Sequence, residues 1–307
     1  MNRRGFFRLL LASGSAALLD GLPGRRSWAK PPPGPAALPD LVAVKDGSPV
    51  QMFEAGIEAL GGMKRFVKKG TLVLVKPNIG WDKTPIEGAD TNPDLVGRVV
   101  RAAYDAGARE VAVCDHSVET EKSCYERSGI EKAVRDNQGV MHTASRRSDY
   151  RKVPVPGGKV LKEVEVHRLY LDSDVVINVP ILKSHGGGRM TASLKNLMGV
   201  VWDRSYWHRH GLHQAIAEFP LVRKPDLNVV DAYIVMMENG PRGVSSEDLL
   251  LKRMQVLSPD PVLADTACAR MLDMKPEDVS YLPLAQALGL GSMDLAKRSI
   301  RRISVAG

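Results

Sequence analysis

The chain has 307 residues, with 43 Lys and Arg against 35 Asp and Glu and a formal net charge of +8. Beyond residue 29 no lysine-arginine tract with interleaved aromatics occurs, which speaks against nucleic-acid binding. The three cysteines, Cys114, Cys124 and Cys268, form no C-x-x-C pair. They are too few for a cysteine-ligated iron–sulfur cluster built by this chain alone, which takes about four thiolates. The sequence leaves open whether Cys114 and Cys124 form a disulfide.

Residues 1–29 read as a twin-arginine signal peptide. Arg3-Arg4 is followed by Phe6-Phe7, then by a weakly apolar stretch from Leu9 to Leu22, and Ser27-Trp28-Ala29 supplies small residues where a signal peptidase reads them. The apolar stretch is shorter and more interrupted than the about 20 residues a bilayer span needs, so no stable membrane span is expected. Removing the segment takes away five arginines and one aspartate, and the formal charge falls by four, from +8 to +4. The expectation is a periplasmic or otherwise exported protein that engages the twin-arginine machinery. That route often carries proteins that acquired a cofactor in the cytoplasm, which is a hint of a bound cofactor, with a metal ion as one candidate; a redox partner protein is a separate candidate partner. Residues 30–40 form a proline-rich linker, and residues 41–307 are expected to make a single α/β domain.

Within that domain Leu41–Val44 reads as a strand and Val50–Val67 as a helix stopped by Lys68-Lys69-Gly70. Thr71–Val75 is a buried strand. A helix follows from Pro93 to Gly107 with Asn92 as N-cap. Glu110–Cys114 is a strand and Ser123–Asp136 a helix. Val153–His167 reads as two antiparallel strands around Gly157-Gly158. Asp174–Val179, Leu227–Ile234 and Met254–Leu257 are further strands, and Pro261–Leu272 and Pro276–Leu288 helices. The alternation predicts an α/β fold: a mostly parallel sheet covered by helices, with a small antiparallel hairpin insertion.

In such a sheet, ligands bind outside the carboxyl ends of the strands, where loops leave and helix N-termini point. The residues at these exits carry chemistry. Lys76 and Asn78 follow the second strand, and Asp115-His116-Ser117 the third. Lys183, His185 and three glycines follow Val179, and Glu238-Asn239-Gly240 follows the Leu227 strand. Glycines at 186–188 allow close backbone approach to a ligand. A helix start within Thr191–Met198 offers amides that, with Lys183, Arg189 and Lys195, suit a phosphate or carboxylate. The alternative is a surface glycine turn with solvated cations. His185, His116 and Lys195 are the catalytic candidates, the imidazoles because they titrate near neutral pH. Lys76, Asn78, Lys183, Arg189, Asn196 and Arg204 are the anion-binding candidates. Asp115 is a candidate to orient a histidine ring; Asp231, Asn239 and Asp265 are supporting candidates. His208, His210 and His213 are candidate metal ligands, since a strand would put the first two on one face and a helix the last two. No G-x-S-x-G accompanies His185-Gly186-Gly187-Gly188, and no G-x-x-x-x-G-K-[ST] occurs, which removes lipase-like and Walker-type readings.

Several stretches carry a family resemblance: VKPNIG at 75–80, CDHS at 114–117, NVPILKSHGGGRMTASLKNLMG at 178–199, PDLNVVDAYIVMMENGPRG at 225–243 and SPDPVLADTACARML at 258–272. Through them the chain resembles the domain of unknown function 362 family over roughly Leu41 to Leu272. Many members of that family carry a ferredoxin-like cysteine segment, which this chain lacks. A second, weaker similarity is to the nickel-pincer lactate racemase family, in which a histidine precedes G-G-R-K and a cofactor-bearing lysine follows ten residues after the histidine. His185, Gly187-Gly188-Arg189 and Lys195 have that order and separation, with Met190 in place of the family's lysine. That resemblance implies His116 and His210 or His213 as further site histidines.

The leading expectation is an exported, redox-linked enzyme, an oxidoreductase or isomerase, acting on a small anionic substrate or cofactor at the carboxyl edge of the sheet. The rivals are a non-catalytic anion- or cofactor-binding accessory protein, and racemase-like chemistry.

Overall fold

The computed structural model describes residues 37–305. The signal peptide and the first part of the linker lie outside the described residues. From Leu38 onward the chain forms one unit.

Strand β1 (Leu41–Lys45) leads into helix α1 (Pro49–Ala59), which opens on a Ser48–Gln51 capping box. The helix expected to reach Val67 ends early, because Gly61 and Gly62 adopt positive φ and a short 3-10 turn follows. β2 (Leu72–Pro77), α2 (Pro93–Ala106) and β3 (Glu110–Val113) come next. α2 is bounded as its sequence predicts. Asn92 accepts the Asp94 and Leu95 amides, and Gly107 closes the helix at φ 112°. The helix expected over Ser123–Asp136 is two, α3 (Glu121–Arg127) and α4 (Ile130–Asp136), separated by a left-handed Gly129. After β4 (Val140–Met141), strands β5 (Tyr150–Pro154) and β6 (Glu163–His167) form the antiparallel hairpin, a separate two-stranded sheet. Its connection is wider than the Gly157-Gly158 turn implied. The buried Glu218 carboxylate gathers the amides of Lys159, Val160 and Leu161 there.

The remaining elements are α5 (Arg168–Asp172), β7 (Val175–Val179), β8 (Ile181–His185), β9 (Arg189–Thr191), α6 (Ser193–Asn196), α7 (Arg204–His210), α8 (Leu212–Glu218), β10 (Leu227–Met236), β11 (Leu249–Ser258), α9 (Pro261–Met271), α10 (Tyr281–Ala287) and β12 (Ile300–Ser304). The main sheet runs β12-β1-β11-β10-β7-β2-β3-β4, with β8 beside β10 and β9 beside β8. It is mostly parallel. β2 pairs in parallel with β3 and β7, and β10 with β7 and β8; β1–β11, β10–β11 and β8–β9 are antiparallel. Side chains alternate across the sheet. Val73 and Val75 join a core with Phe53 of α1 and Val96 and Val99 of α2, whereas Leu74 joins one with Ile216 of α8 and Leu263 of α9. Burial on both faces is why these strands read as unbroken apolar runs.

One local feature shapes the site. β2 pairs with β7 as far as Pro77 opposite Val179. Pro180 then ends that ladder, and the chain continues along β10 as β8 before folding back through Gly186–Gly188 into β9. The glycine run is therefore a hairpin turn and not an open loop. β8 thereby carries Lys183 to Asn78, just beyond the end of β2.

Candidate functional site

The carboxyl ends of β2 and β3 bring Lys76 and Asp115 together in full burial. Lys76 Nζ donates to Asp115 Oδ1 at 2.5 Å, to the Pro77 carbonyl at 2.7 Å and to Asn196 Oδ1 at 3.3 Å. The other Asp115 oxygen accepts the Ile79 amide at 2.6 Å. A buried ion pair persists when its remaining protons and lone pairs are met in this way. Desolvation nonetheless draws Lys76 below the usual lysine range, with Asp115 opposing. Gly199 lies directly over the pair, and a Cβ there would collide with Asp115 Oδ1 and Lys76 Nζ. Asn78 Nδ2 donates to Asn196 Oδ1, Asn196 Nδ2 to Asn178 Oδ1, and Asn178 Nδ2 to Asn228 Oδ1, each at 2.9 Å. This asparagine ladder ties β2, α6, β7 and β10 into a rigid floor.

Above the floor opens a cleft of about 340 Å³, lined by Lys183 of β8, Lys195 of α6, Arg204 of α7 and the rings of His116, His185 and His208. The hydrogen bonds assign opposite tautomers to His116 and His185. His116 Nδ1 lies 3.1 Å from the Val201 carbonyl. A carbonyl only accepts, so Nδ1 carries the proton and Nε2 keeps its lone pair. His185 Nδ1 accepts the Gly188 amide at 3.1 Å, which puts the proton of the neutral ring on Nε2. Both rings are held neutral. Burial lowers His116, helped by Arg204. Burial, then Lys195 and Lys183, bring His185 to about 3. Trp202 stacks on His116 at 5.2 Å and 10° and sets its plane.

The cations differ in how they are matched. Lys183 donates to Asn78 Oδ1 at 3.2 Å and to the Ala89 carbonyl. Desolvation brings it to about 8, with Asp90 opposing. Asp90 is itself buried and pushed up to about 7 by desolvation, although it accepts the Gly80 and Trp81 amides. Arg204 donates to the His116 and Ser117 carbonyls at 2.6 and 2.8 Å. Lys195 is 9% exposed, and among the described residues its Nζ makes one hydrogen bond, 3.6 Å to Met198 Sδ. A thioether is a weak acceptor. Burial first, then Lys183 and Arg204, lower Lys195 to about 7. Among the described residues no carboxylate pairs with Lys195, whereas Arg204 still feels Asp115; the cleft thus holds buried positive charge at Lys195 whose field favours an anion.

Other sequence candidates fall elsewhere. Asp115 does not orient a histidine: its oxygens are taken by Lys76 and Ile79, and the Val201 carbonyl holds His116. The expected anion-binding amides are occupied, because β9 takes Arg189–Thr191 and the Asp265 carboxylate caps the four-residue α6 through the Ser193 and Leu194 amides at 2.6 and 3.0 Å. Burial pushes Asp265 to about 7 despite those donors. Asp231, raised to about 6 by burial, accepts the Asn92 and Tyr233 amides and so anchors the start of α2. Asn239 bonds Asp248 outside the cleft. Arg189 is exposed and does not line the cleft. The three histidines of 208–213 do not converge as a ligand set: Gly211 breaks α7 from α8, His210 stacks on Tyr206, and only His208 reaches the cleft. Among the described residues no three His, Cys, Asp or Glu side chains are placed to share a metal ion. Cys114, Cys124 and Cys268 are buried free thiols. Among the described residues no helix is long and apolar enough to cross a membrane.

Sequence reasoning missed Asp90, Asn178, Asn228, Trp202 and Met198. The apolar strands gave a hint of two of them, since Asn178 and Asn228 are the polar residues inside otherwise apolar runs.

Fold and cleft define an α/β protein with a cationic, histidine-lined pocket at the carboxyl rim of its sheet. The chain belongs to the family described as Domain of unknown function (DUF362), whose model matches residues 73–270. It is 27% identical over 263 residues to a thylakoid-associated protein of Synechocystis, covering 78% of each chain. Among solved structures it is similar to the lactate racemase apoprotein of Thermoanaerobacterium thermosaccharolyticum, at TM-score 0.48 and 11% identity, and to a protein of Thermotoga maritima, at 0.47 and 13%. Both likenesses cover 75% of this chain; it spans 56% of the racemase chain and 60% of the other.

Proposed function

We propose that this protein is an enzyme whose cleft holds a small carboxylate- or phosphate-bearing molecule and abstracts a proton from it. The observation that carries the reading is the opposite tautomers of His116 and His185 at one cleft. His116 offers the Nε2 lone pair and acts as the base. His185 offers Nε2–H and, as a neutral imidazole, donates a hydrogen bond to the oxygen on which negative charge develops. Lys183, Lys195 and Arg204 hold the anionic group, while Lys76 is spent on Asp115. The cleft volume of about 340 Å³ lies at the small end of ligand pockets, which run to about 1,000 Å³. The redox link expected from the sequence finds no support in these residues and is not part of the proposal. Export is part of it, supported by the Arg3-Arg4 pattern. Replacing both arginines by lysine should leave the protein in the cytoplasm, and unchanged delivery would remove that element.

The test of the site is solvent exchange. Small 2-oxo and 2-hydroxy acids are incubated with the protein in D2O and followed by NMR, and inorganic phosphate and the same acids are tested for thermal stabilisation. Exchange that disappears in His116→Gln, with stabilisation retained, is the expected result. Stabilisation without exchange in the wild type would make this a binding protein, and absence of both would remove the site.

A further inference from the structure

The cleft lysines are not equivalent, and the difference points to chemistry beyond charge. Lys76 is neutralised by Asp115. Lys183 is fastened to a carbonyl and an amide oxygen. Lys195 has a thioether as its partner and faces the same cleft as Lys183, Arg204 and both histidines. Its stem lies against the β8–β9 turn: a Cβ on Gly188 would come within 2.6 Å of Lys195 Cε and would displace the lysine side chain. An ammonium buried without an oxygen partner is costly, whereas a neutral amine there is not.

We infer that Lys195 is a covalent nucleophile that forms an imine with the carbonyl carbon of a small 2-oxo acid. This rests on the proposed anion-binding, proton-abstracting cleft and names its substrate class. Lys183 and Arg204 hold the carboxylate, and the carbonyl carbon faces the Lys195 amine. The nitrogen lone pair forms the C–N bond as the carbonyl π electrons move to oxygen, which His185 Nε2–H holds. An amine proton passes to His116 Nε2 and from there to that oxygen, giving the carbinolamine. The second amine proton follows the same route; the C–O bond breaks, water leaves, and the C=N bond forms. Amine and carbonyl give imine and water, and His116 ends neutral. Desolvation beside neighbouring cations is one of the ways proteins activate a lysine for this step. At pH 7 a lysine near 7 has on the order of a thousand times more free amine than one at the usual value.

The experiment is reductive trapping on the full chain. The protein is incubated with pyruvate and borohydride at pH 7 and digested, and each lysine is examined by mass spectrometry for one carboxyethyl group. The expected result is modification concentrated on Lys195 at least about tenfold over exposed lysines such as Lys122, suppressed by excess inorganic phosphate. Lys195→Arg should abolish the phosphate-suppressible adduct, with no other lysine taking it up. No preference for Lys195 while pyruvate still stabilises the protein and exchanges its methyl protons would overturn the imine and leave the anion site standing. No adduct, no stabilisation and no exchange would overturn both.

Discussion

The floor of the cleft and its wall, the side chains of His116, Lys183, His185, Lys195 and Arg204 that line it above the floor, solve the same problem in opposite ways. Each buries a lysine. In the floor, Lys76 meets Asp115, a carbonyl and an amide oxygen, under a glycine that admits no side chain. In the wall, Lys195 meets a sulfur atom and two other cations. The floor balances its charge internally and therefore serves the fold. The wall leaves its charge for something not part of the chain, and that is where function is to be sought.

The largest expected effects fall on the wall, in activity. His116→Gln should slow solvent exchange by about 10²–10⁴-fold, the usual contribution of a positioned base. His185→Leu should cost about 10²–10³-fold as a lost donor to developing negative charge. Neither change should move the denaturant midpoint by much, since neither ring carries the floor. The opposite pattern is expected of Asp115→Asn. It leaves Lys76 buried without a counter-charge and should cost about 3–5 kcal/mol in urea unfolding. A small loss there, or a large one at His116, would erase the division between the two regions.

How far this division could be read in advance follows from which contacts are local. The strand-exit rule brought Lys76, Asp115, His116, Lys183 and His185 to one rim, because uninterrupted apolar runs mark parallel strands and their ends mark the rim. It could not see that Pro180 lets the chain run on as β8, so it took the glycines for a loop and Lys183 for a loop residue. Nor could it see that Asp265, more than seventy residues on, fills the amides of α6, or that Val201 rather than Asp115 holds His116. Arg189 and Lys195 look alike in sequence, and only the fold leaves one exposed on β9 and buries the other on α6. Non-local hydrogen bonds decide each of these, and periodicity carries no information about them.

Lys195 sharpens the comparison through pH. Its folded value is near 7 against about 10.4 for an exposed lysine, so between those limits the unfolded chain binds more protons and wild-type stability rises with pH. Below pH 7 the full penalty applies; above about 10.4 it vanishes. Lys195→Met, of similar volume, should therefore be more stable than wild type at pH 7, by about 4 kcal/mol, and converge with it above pH 10 or so. It should also lose stabilisation by inorganic phosphate. Equal stability of the two proteins across this range would mean that Lys195 carries no desolvation cost, and the wall would then resemble the floor.

The smallest effect tests where the wall ends. Arg189 sits at the start of β9 with φ 65°, a left-handed conformation that favours glycine, and its side chain is exposed. Arg189→Gly should relieve that strain and raise stability by about 0.5 kcal/mol, part of the gain being offset by the added freedom of the unfolded chain. Phosphate stabilisation should be unchanged, because the guanidinium does not line the cleft. A several-fold loss of phosphate affinity in this variant would extend the wall to the outer side of the hairpin, and the glycine turn would then act as a flap carrying Arg189 over the ligand rather than as a surface against which the Lys195 stem lies.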